Sequence, residues 1–187
     1  MIIGLLIIGL PLCALASAVL YLPFFLRGRK YKMPAVRHLA CYALTVMLAL
    51  IIFVTLLAGG ITFFPDYRLL NLQPFVWVTQ TYEMGFARMI QQLVSNILMF
   101  VPLGVLMPIV FPKLRSFWRL SLCALGITVL IEITQYFTGR SADIDDVIMN
   151  TVGGMLGFGI YAGFNRLLQG KSWWRKATAS AAVTARD

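Results

Sequence analysis

Glu132 and Gln135 stand three residues apart inside an apolar run, followed by the polar stretch Gly139-Arg-Ser-Ala-Asp-Ile-Asp-Asp146 and then by Asn150 in a further apolar run. Ionisable groups at membrane depth are expensive, so in a chain this hydrophobic the cluster is the first candidate for function. A spacing of three on a helix puts Glu132 and Gln135 on one face, about a turn from each other. If Asp146 opens the next helix, then Asp146, Asn150 and Gly154 form a stripe at intervals of four, with Gly153 and Gly157 beside it. Asn96 falls in the same half of a neighbouring apolar run. The candidate site is therefore Asn96, Glu132, Gln135, Arg140, Asp143, Asp146 and Asn150.

Two chemistries suit such a group. Carboxylate oxygens of Glu132, Asp143 and Asp146 could hold a hard divalent cation such as Mg²⁺ or Ca²⁺, which could in turn bind a lipid phosphate or diphosphate, as in a metal-dependent membrane enzyme. Alternatively, Glu132 could take up and release a proton, as a proton-coupled transporter of lipids or small molecules requires. A structural reading stands beside both. Glu132 and Arg140 would then form an internal ion pair, Asn96 and Asn150 would hydrogen-bond across helices, and Gly153-x-x-x-Gly157 would be a close packing face. Glu132 together with Asp143, Asp145 and Asp146 exceeds what packing beside a membrane needs, which favours a function for the acids. Hydrolase chemistry lacks its parts: Cys13, Cys41 and Cys123 lie in apolar runs without metal or redox spacing, and the single histidine, His38, reads as a loop residue beside Arg37 without partners.

The elements that must position these residues follow from hydropathy. The chain has 187 residues, 60% hydrophobic and only 12% charged, against about 25% charged in a soluble domain. Its mean hydropathy is +0.83. The expectation is an integral membrane protein, all-α, a bundle of about five spans. Apolar runs cover Ile2 to Leu26, Leu39 to Phe64 (with Gly59-Gly60 near its far end), Leu93 to Phe111 (with Pro102 and Pro108 inside), Leu120 to about Thr138, and Val147 to about Phe164. Neighbouring helices can re-satisfy the backbone groups that the prolines free. Pro65 to Gln92, carrying Phe75, Trp77, Tyr82 and Phe86, is too long for a turn and reads as an interfacial segment.

Of the 16 basic residues, 13 follow the first, third and fifth runs, leaving Arg68, Arg88 and Arg140 on the other side. Orientation follows: amino terminus outside, carboxyl tail in the cytoplasm, and the acids Asp66, Glu83, Asp143, Asp145 and Asp146 outward. The net charge of +9 is thus a topology signal, and nucleic acid is not an expected partner. Small residues such as Ala14-Leu-Ala16 imitate a signal cleavage site, but no positive region precedes the apolar run, so the first span reads as uncleaved. The resulting division is a first span and basic loop over residues 1–38, a membrane domain over 39–165 and a basic cytoplasmic tail over 166–187, disordered from Ala177.

Asn71-Leu-x-Pro-Phe75, Asn96-Ile-Leu-Met-Phe-Val-Pro-Leu-Gly104, Glu132-x-x-Gln135 and Gly139-Arg-Ser-Ala-Asp-Ile-Asp-Asp-Val-Ile-Met-Asn-Thr-Val-Gly-Gly154 together resemble the VanZ-like family of bacterial membrane proteins. The resemblance covers roughly Leu39 to Phe164, with the blocks in the family's order. It implies that Asn71, Pro74, Phe75, Asn96, Phe100, Pro102, Gly104, Glu132, Gln135, Arg140, Asp143, Asp146, Asn150 and Gly154 are motif residues. The family is named for a protein conferring low-level resistance to the glycopeptide teicoplanin. A role in the bacterial cell envelope is therefore implied, with membrane lipids, a lipid-linked envelope intermediate or a lipoglycopeptide as partners; the resemblance identifies no reaction.

Overall fold

Apolar runs punctuated by proline, glycine and clustered charge become helices, because in lipid each backbone polar group must be satisfied within its own segment. The computed structural model describes residues 5–57, 61–76, 78 and 85–179. The start of the first span, Gly59-Gly60, Trp77, Tyr82, Glu83 and the tail beyond Ala179 lie outside the described residues. After a π-helical turn over Leu5–Gly9, α1 runs Leu10–Lys30, with Pro11 in its first turn, where a missing N–H costs nothing. Helix α2 runs Ala35–Ile52 and widens into a π-helical turn at Phe53–Leu57. Helix α3 is Phe86–Val110, α4 Phe117–Phe137, α5 Ile144–Leu168, and the short α6 Ser172–Thr178. Among the described residues five helices are long and apolar enough to cross a membrane, and the protein is a multi-pass helical bundle.

Two spans are longer than hydropathy indicates by more than a turn, whereas α4 starts only three residues early, at Phe117. Helix α3 begins at Phe86 rather than Leu93, and α5 begins at Ile144 and ends at Leu168 rather than running from Val147 to about Phe164. Backbone hydrogen bonds carry the helices through Arg88, Gln91, Gln92, Asp145 and Asp146, polar residues that a hydropathy window leaves out. The last seven residues of the connection expected between Pro65 and Gln92 are thereby the first turns of α3. Pro102 and Pro108 both stay inside that helix.

Glycine decides which helices touch most closely. A Cβ on Gly104 would lie 2.2 Å from the Gly154 carbonyl oxygen, one on Gly157 2.2 Å from that of Val101, and one on Gly153 2.3 Å from that of Ile97. Helices α3 and α5 therefore meet backbone to backbone, as small residues permit in membranes. Leu44, Ile51, Phe100, Leu103, Met107, Leu120 and Ile131 fill the core between α2, α3 and α4. The outer faces remain apolar: Val19, Leu98, Leu122, Leu130 and Leu167 are all exposed, which lipid accommodates and water does not.

One end of the bundle is basic. Pro112 has no N–H for the Pro108 carbonyl, and Arg115 Nε donates to it instead at 3.0 Å. The last carbonyl of α3, that of Val110, accepts from Arg37 Nη2 at 3.1 Å. The same guanidinium reaches the Ala177 carbonyl of α6 at 3.0 Å, and Arg115 reaches that of Thr178. Two arginines thus collect orphan carbonyls at the ends of α3 and α6, where the helix dipole also favours a cation. Ala177, expected in a disordered tail, is buried in α6 beside Trp174 and Tyr161. His38, expected in a loop, lies buried in the first turn of α2, its Nδ1 2.9 Å from the Tyr21 hydroxyl of α1.

Candidate functional site

The opposite end of the bundle carries the polar motif. Helix α4 stops in a Schellman turn: Gly139, at φ +78°, donates to Tyr136 O at 3.1 Å, and Arg140 N donates to Gln135 O at 2.9 Å. A Cβ at Gly139 would fall 1.8 Å from Thr62 Oγ1, so that close approach also demands glycine. Thr62 N in turn donates to Thr138 O at 3.1 Å, tying the α2–α3 connection to the α4–α5 turn. Two residue pairs extend that tie: strand β1 (Leu70–Asn71) lies parallel to β2 (Ala142–Asp143), with Leu70 opposite Ala142 and Asn71 opposite Asp143.

Asp143 organises this corner. As N-cap of α5 its Oδ1 accepts from Asp145 N at 2.8 Å and also from Asn71 Nδ2 at 3.0 Å. Its own amide donates to Glu132 Oε2 at 2.8 Å. The Asn71 side-chain oxygen accepts from Gln73 N at 3.1 Å, forming an Asx turn. Two residues beyond Gln73, Phe75 holds a left-handed φ of +65°, and its amide donates to Asp145 Oδ1 at 2.7 Å. Asp146 accepts from Asn96 Nδ2 of α3 at 2.5 Å, and Gln92, one turn away on α3, faces the same carboxylate. Glu132, Asp143, Asp145 and Asp146 thus each receive a donor, and together they fasten α3, α4, α5 and the β1 loop.

The remaining candidates lie deeper or to one side. Gln135 Nε2 donates to the Thr55 carbonyl at 3.0 Å, within the π-helical turn that ends α2. Asn150, only 2% exposed, donates to Thr128 Oγ1 of α4 at 3.0 Å. Asn96 and Asn150 therefore bond other partners than each other. Glu132 takes its hydrogen bond from the Asp143 amide, and Arg140 Nη1 is buried without a hydrogen-bond partner. Among the described residues no three His, Cys, Asp or Glu side chains are grouped so as to hold a metal ion, Glu132, Asp143 and Asp146 included. Pro74, Pro102, Gly104, Gly153, Gly154 and Gly157 belong to the turn and helix contacts around the site. Sequence reasoning did not single out Thr55, Thr128 or Gln92, nor Asp145 as a member of the site. Thr55 and Thr128 are apolar-run threonines with no local signal, whereas Asp145 shared a visible acidic run.

Between the outer face of α4, the β1 and β2 pair and the first turn of α5 lies a cavity of about 230 Å³. Its wall is almost wholly apolar: Val129, Ile133 and Val147 line it, and the polar atoms of Asn71, Glu132, Tyr136 and Asp143 barely reach its surface. Glu132 is 7% exposed. A pocket that encloses a drug-sized ligand is roughly 300 to 1,000 Å³. This one, apolar and smaller, has room for a single hydrocarbon chain while the rest of a larger molecule stays outside it.

The sequence profile of the VanZ/LLP1 family matches residues 39–168. A curated relative, Protein VanZ of Enterococcus faecium, is 32% identical over 105 residues, which cover 56% of this chain and 59% of the relative. The chain thus spans about three-fifths of that relative's length. No solved structure matches.

Proposed function

Because the chain belongs to the VanZ/LLP1 family, we propose that it is a non-enzymatic protein of the bacterial cell envelope that binds an amphipathic molecule at the outer leaflet and alters its availability. The occupant is an envelope lipid, a lipid-linked intermediate or a lipoglycopeptide, and tolerance of teicoplanin is one consequence. The observation that carries this reading is the apolar cavity on α4, whose lining includes Glu132 and Asp143 of the polar cluster. Its location at the end of the bundle opposite the Arg37 and Arg115 cluster supports the outward orientation, since basic loops stay in the cytoplasm. In that orientation the amino terminus is outside and the carboxyl tail inside.

The test is susceptibility to teicoplanin and vancomycin in a sensitive bacterium expressing wild type, Glu132→Gln or Asp146→Asn, with membrane insertion measured for each. Wild type raises tolerance and the two substitutions abolish it at equal insertion. Wild-type tolerance in both variants would remove the polar site from the function.

A further inference from the structure

The basic end of the bundle carries a row of aromatic rings that surfaces at both of its ends. Phe117 and Trp118 open α4 with ring centroids 5.3 Å apart, and Phe117 stands 5.9 Å from Phe158 of α5. Phe158 is 5.9 Å from Tyr161, and Tyr161 is 6.3 Å from Trp174 of α6, where Trp173 completes the row at 5.7 Å. Tyr161 and Trp174 are buried, whereas Trp118 is 71% exposed and Trp173 48%. Core packing therefore does not account for the two terminal indoles. A large ring with one polar N–H, left open at the end of a membrane bundle, suits the level of the lipid head groups.

Cations accompany both ends of the row. Arg119 follows Trp118, and Lys171, Arg175 and Lys176 flank Trp173, all four exposed. Arg175 N donates to Lys171 O at 3.1 Å, so these two residues lie one helical turn apart on a shared face. The opposite face of α6 is fixed to the bundle: Trp174 and Ala177 pack on Ile109 and Tyr161, Trp174 Nε1 donates to Asn165 Oδ1 at 3.0 Å, and Arg37 takes the Ala177 carbonyl. Arg37 and Arg115 are spent on backbone carbonyls. Among the described residues, the side chains of Arg119, Lys171, Arg175 and Lys176 make no ion pair or hydrogen bond. The acids among the described residues, Asp66, Glu132, Asp143, Asp145 and Asp146, belong to the other end. Topology accounts for the side on which these cations stand, but not for a docked helix that sets them around an open indole.

We propose that this surface, from Trp118 to Trp173, binds anionic phospholipid head groups of the leaflet at that end. The phosphates meet Arg119, Lys171, Arg175 and Lys176, and the indoles sit beside them at the boundary with the acyl chains. This surface stands apart from the cavity at the polar end and does not depend on what that cavity holds.

The experiment sets dioleoyl phosphatidylglycerol against dioleoyl phosphatidylcholine, alike in their chains, in competition for the full chain in detergent micelles, with bound lipid counted by native mass spectrometry. Phosphatidylglycerol binds about tenfold or more tighter, since each Lys or Arg near an anionic surface strengthens binding about fivefold. Lys171→Gln/Arg175→Gln/Lys176→Gln brings the two lipids to within about twofold of each other. Arg27→Gln/Arg29→Gln/Lys30→Gln removes the same charge from exposed positions at the end of α1, outside the aromatic row, and keeps most of the preference. A preference unchanged by the α6 substitutions would overturn the proposal, and so would an equal loss in both triple variants, which would reduce the effect to net charge. If the α6 triple variant does not fold, Trp118→Leu/Arg119→Gln at the other end of the row replaces it, with the same loss expected. Glycerol 3-phosphate, which has the phosphate and no chains, leaves lipid binding unchanged even in large excess; displacement of the lipid by it would make this a site for a soluble phosphate and overturn the lipid assignment.

Discussion

Glu132 has two separable tasks, and substitutions divide them. Its Oε2 satisfies the Asp143 amide at the start of α5, and the residue belongs to the polar cluster proposed to serve function. Glutamine retains a carbonyl oxygen for the first task and removes the carboxylate on which the second is proposed to depend. Glu132→Gln should therefore unfold within about 1 kcal/mol of wild type, because the hydrogen bond persists, whereas Glu132→Ala leaves a buried amide unpaired and should cost about 1–3 kcal/mol. Denaturant or thermal unfolding in detergent micelles measures both. Equal destabilisation by the two would mean that the 2.8 Å bond contributes little. The residue types here were readable as a polar cluster. Their pairings were not: nothing local assigns Asn96 to Asp146 rather than to Asn150, or Asn150 to Thr128, because each bond joins side chains from different helices.

At the scale of elements, the α3–α5 contact and the α3–α6 clamp carry distinct expectations. Gly104→Ala places a methyl group 2.2 Å from the Gly154 carbonyl, so the helices must separate, at a cost of about 3 kcal/mol, the upper end of overpacking penalties. Gly163→Ala on α5 meets nothing within 4 Å and should be neutral or stabilising by up to about 1 kcal/mol through helix propensity. Parallel thermal unfolding of these two variants tests whether glycine serves the contact or merely the composition. Arg37 binds the ends of two helices, Val110 of α3 and Ala177 of α6. Arg37→Met should cost about 2 kcal/mol, less than two full charged hydrogen bonds because its unpartnered buried Nε is removed as well. Loosened α6 would show as faster tryptic cleavage at Lys171. Cleavage at the wild-type rate would mean that Arg115 alone holds the helix. Composition marked Arg37 only as one of a basic group; Pro112, which leaves the Pro108 carbonyl to Arg115, is the sequence feature that foretells such a clamp.

For the whole molecule the orientation is the expectation with the widest consequence. Gln73 and Ser172 are both exposed and lie at opposite ends of the bundle. In a background lacking Cys13, Cys41 and Cys123, Gln73→Cys should react with a membrane-impermeant maleimide in intact cells. Ser172→Cys should react only after permeabilisation. The reverse pattern would place the cavity in the cytoplasmic leaflet, and an extracellular amphiphile could no longer be its occupant. Helix α1 lies before the family match at residues 39–168 and packs chiefly on α2 through Cys13, Ser17 and the Tyr21–His38 contact, so its outer face is left to lipid.

Sequence alone determined that this is a multi-pass helical membrane protein, which end is basic, and that Glu132 and the Gly139–Asp146 stretch are its unusual residues. Hydropathy and charge are summed along the chain and need no knowledge of neighbours. Only the tertiary structure decided that Asp143 is the hub of the polar end, that Phe75 and Asn71 are pinned to it from across the fold, and that Glu132 opens onto an apolar cavity. Those facts depend on contacts between residues about 70 positions apart, as with Phe75 and Asp145.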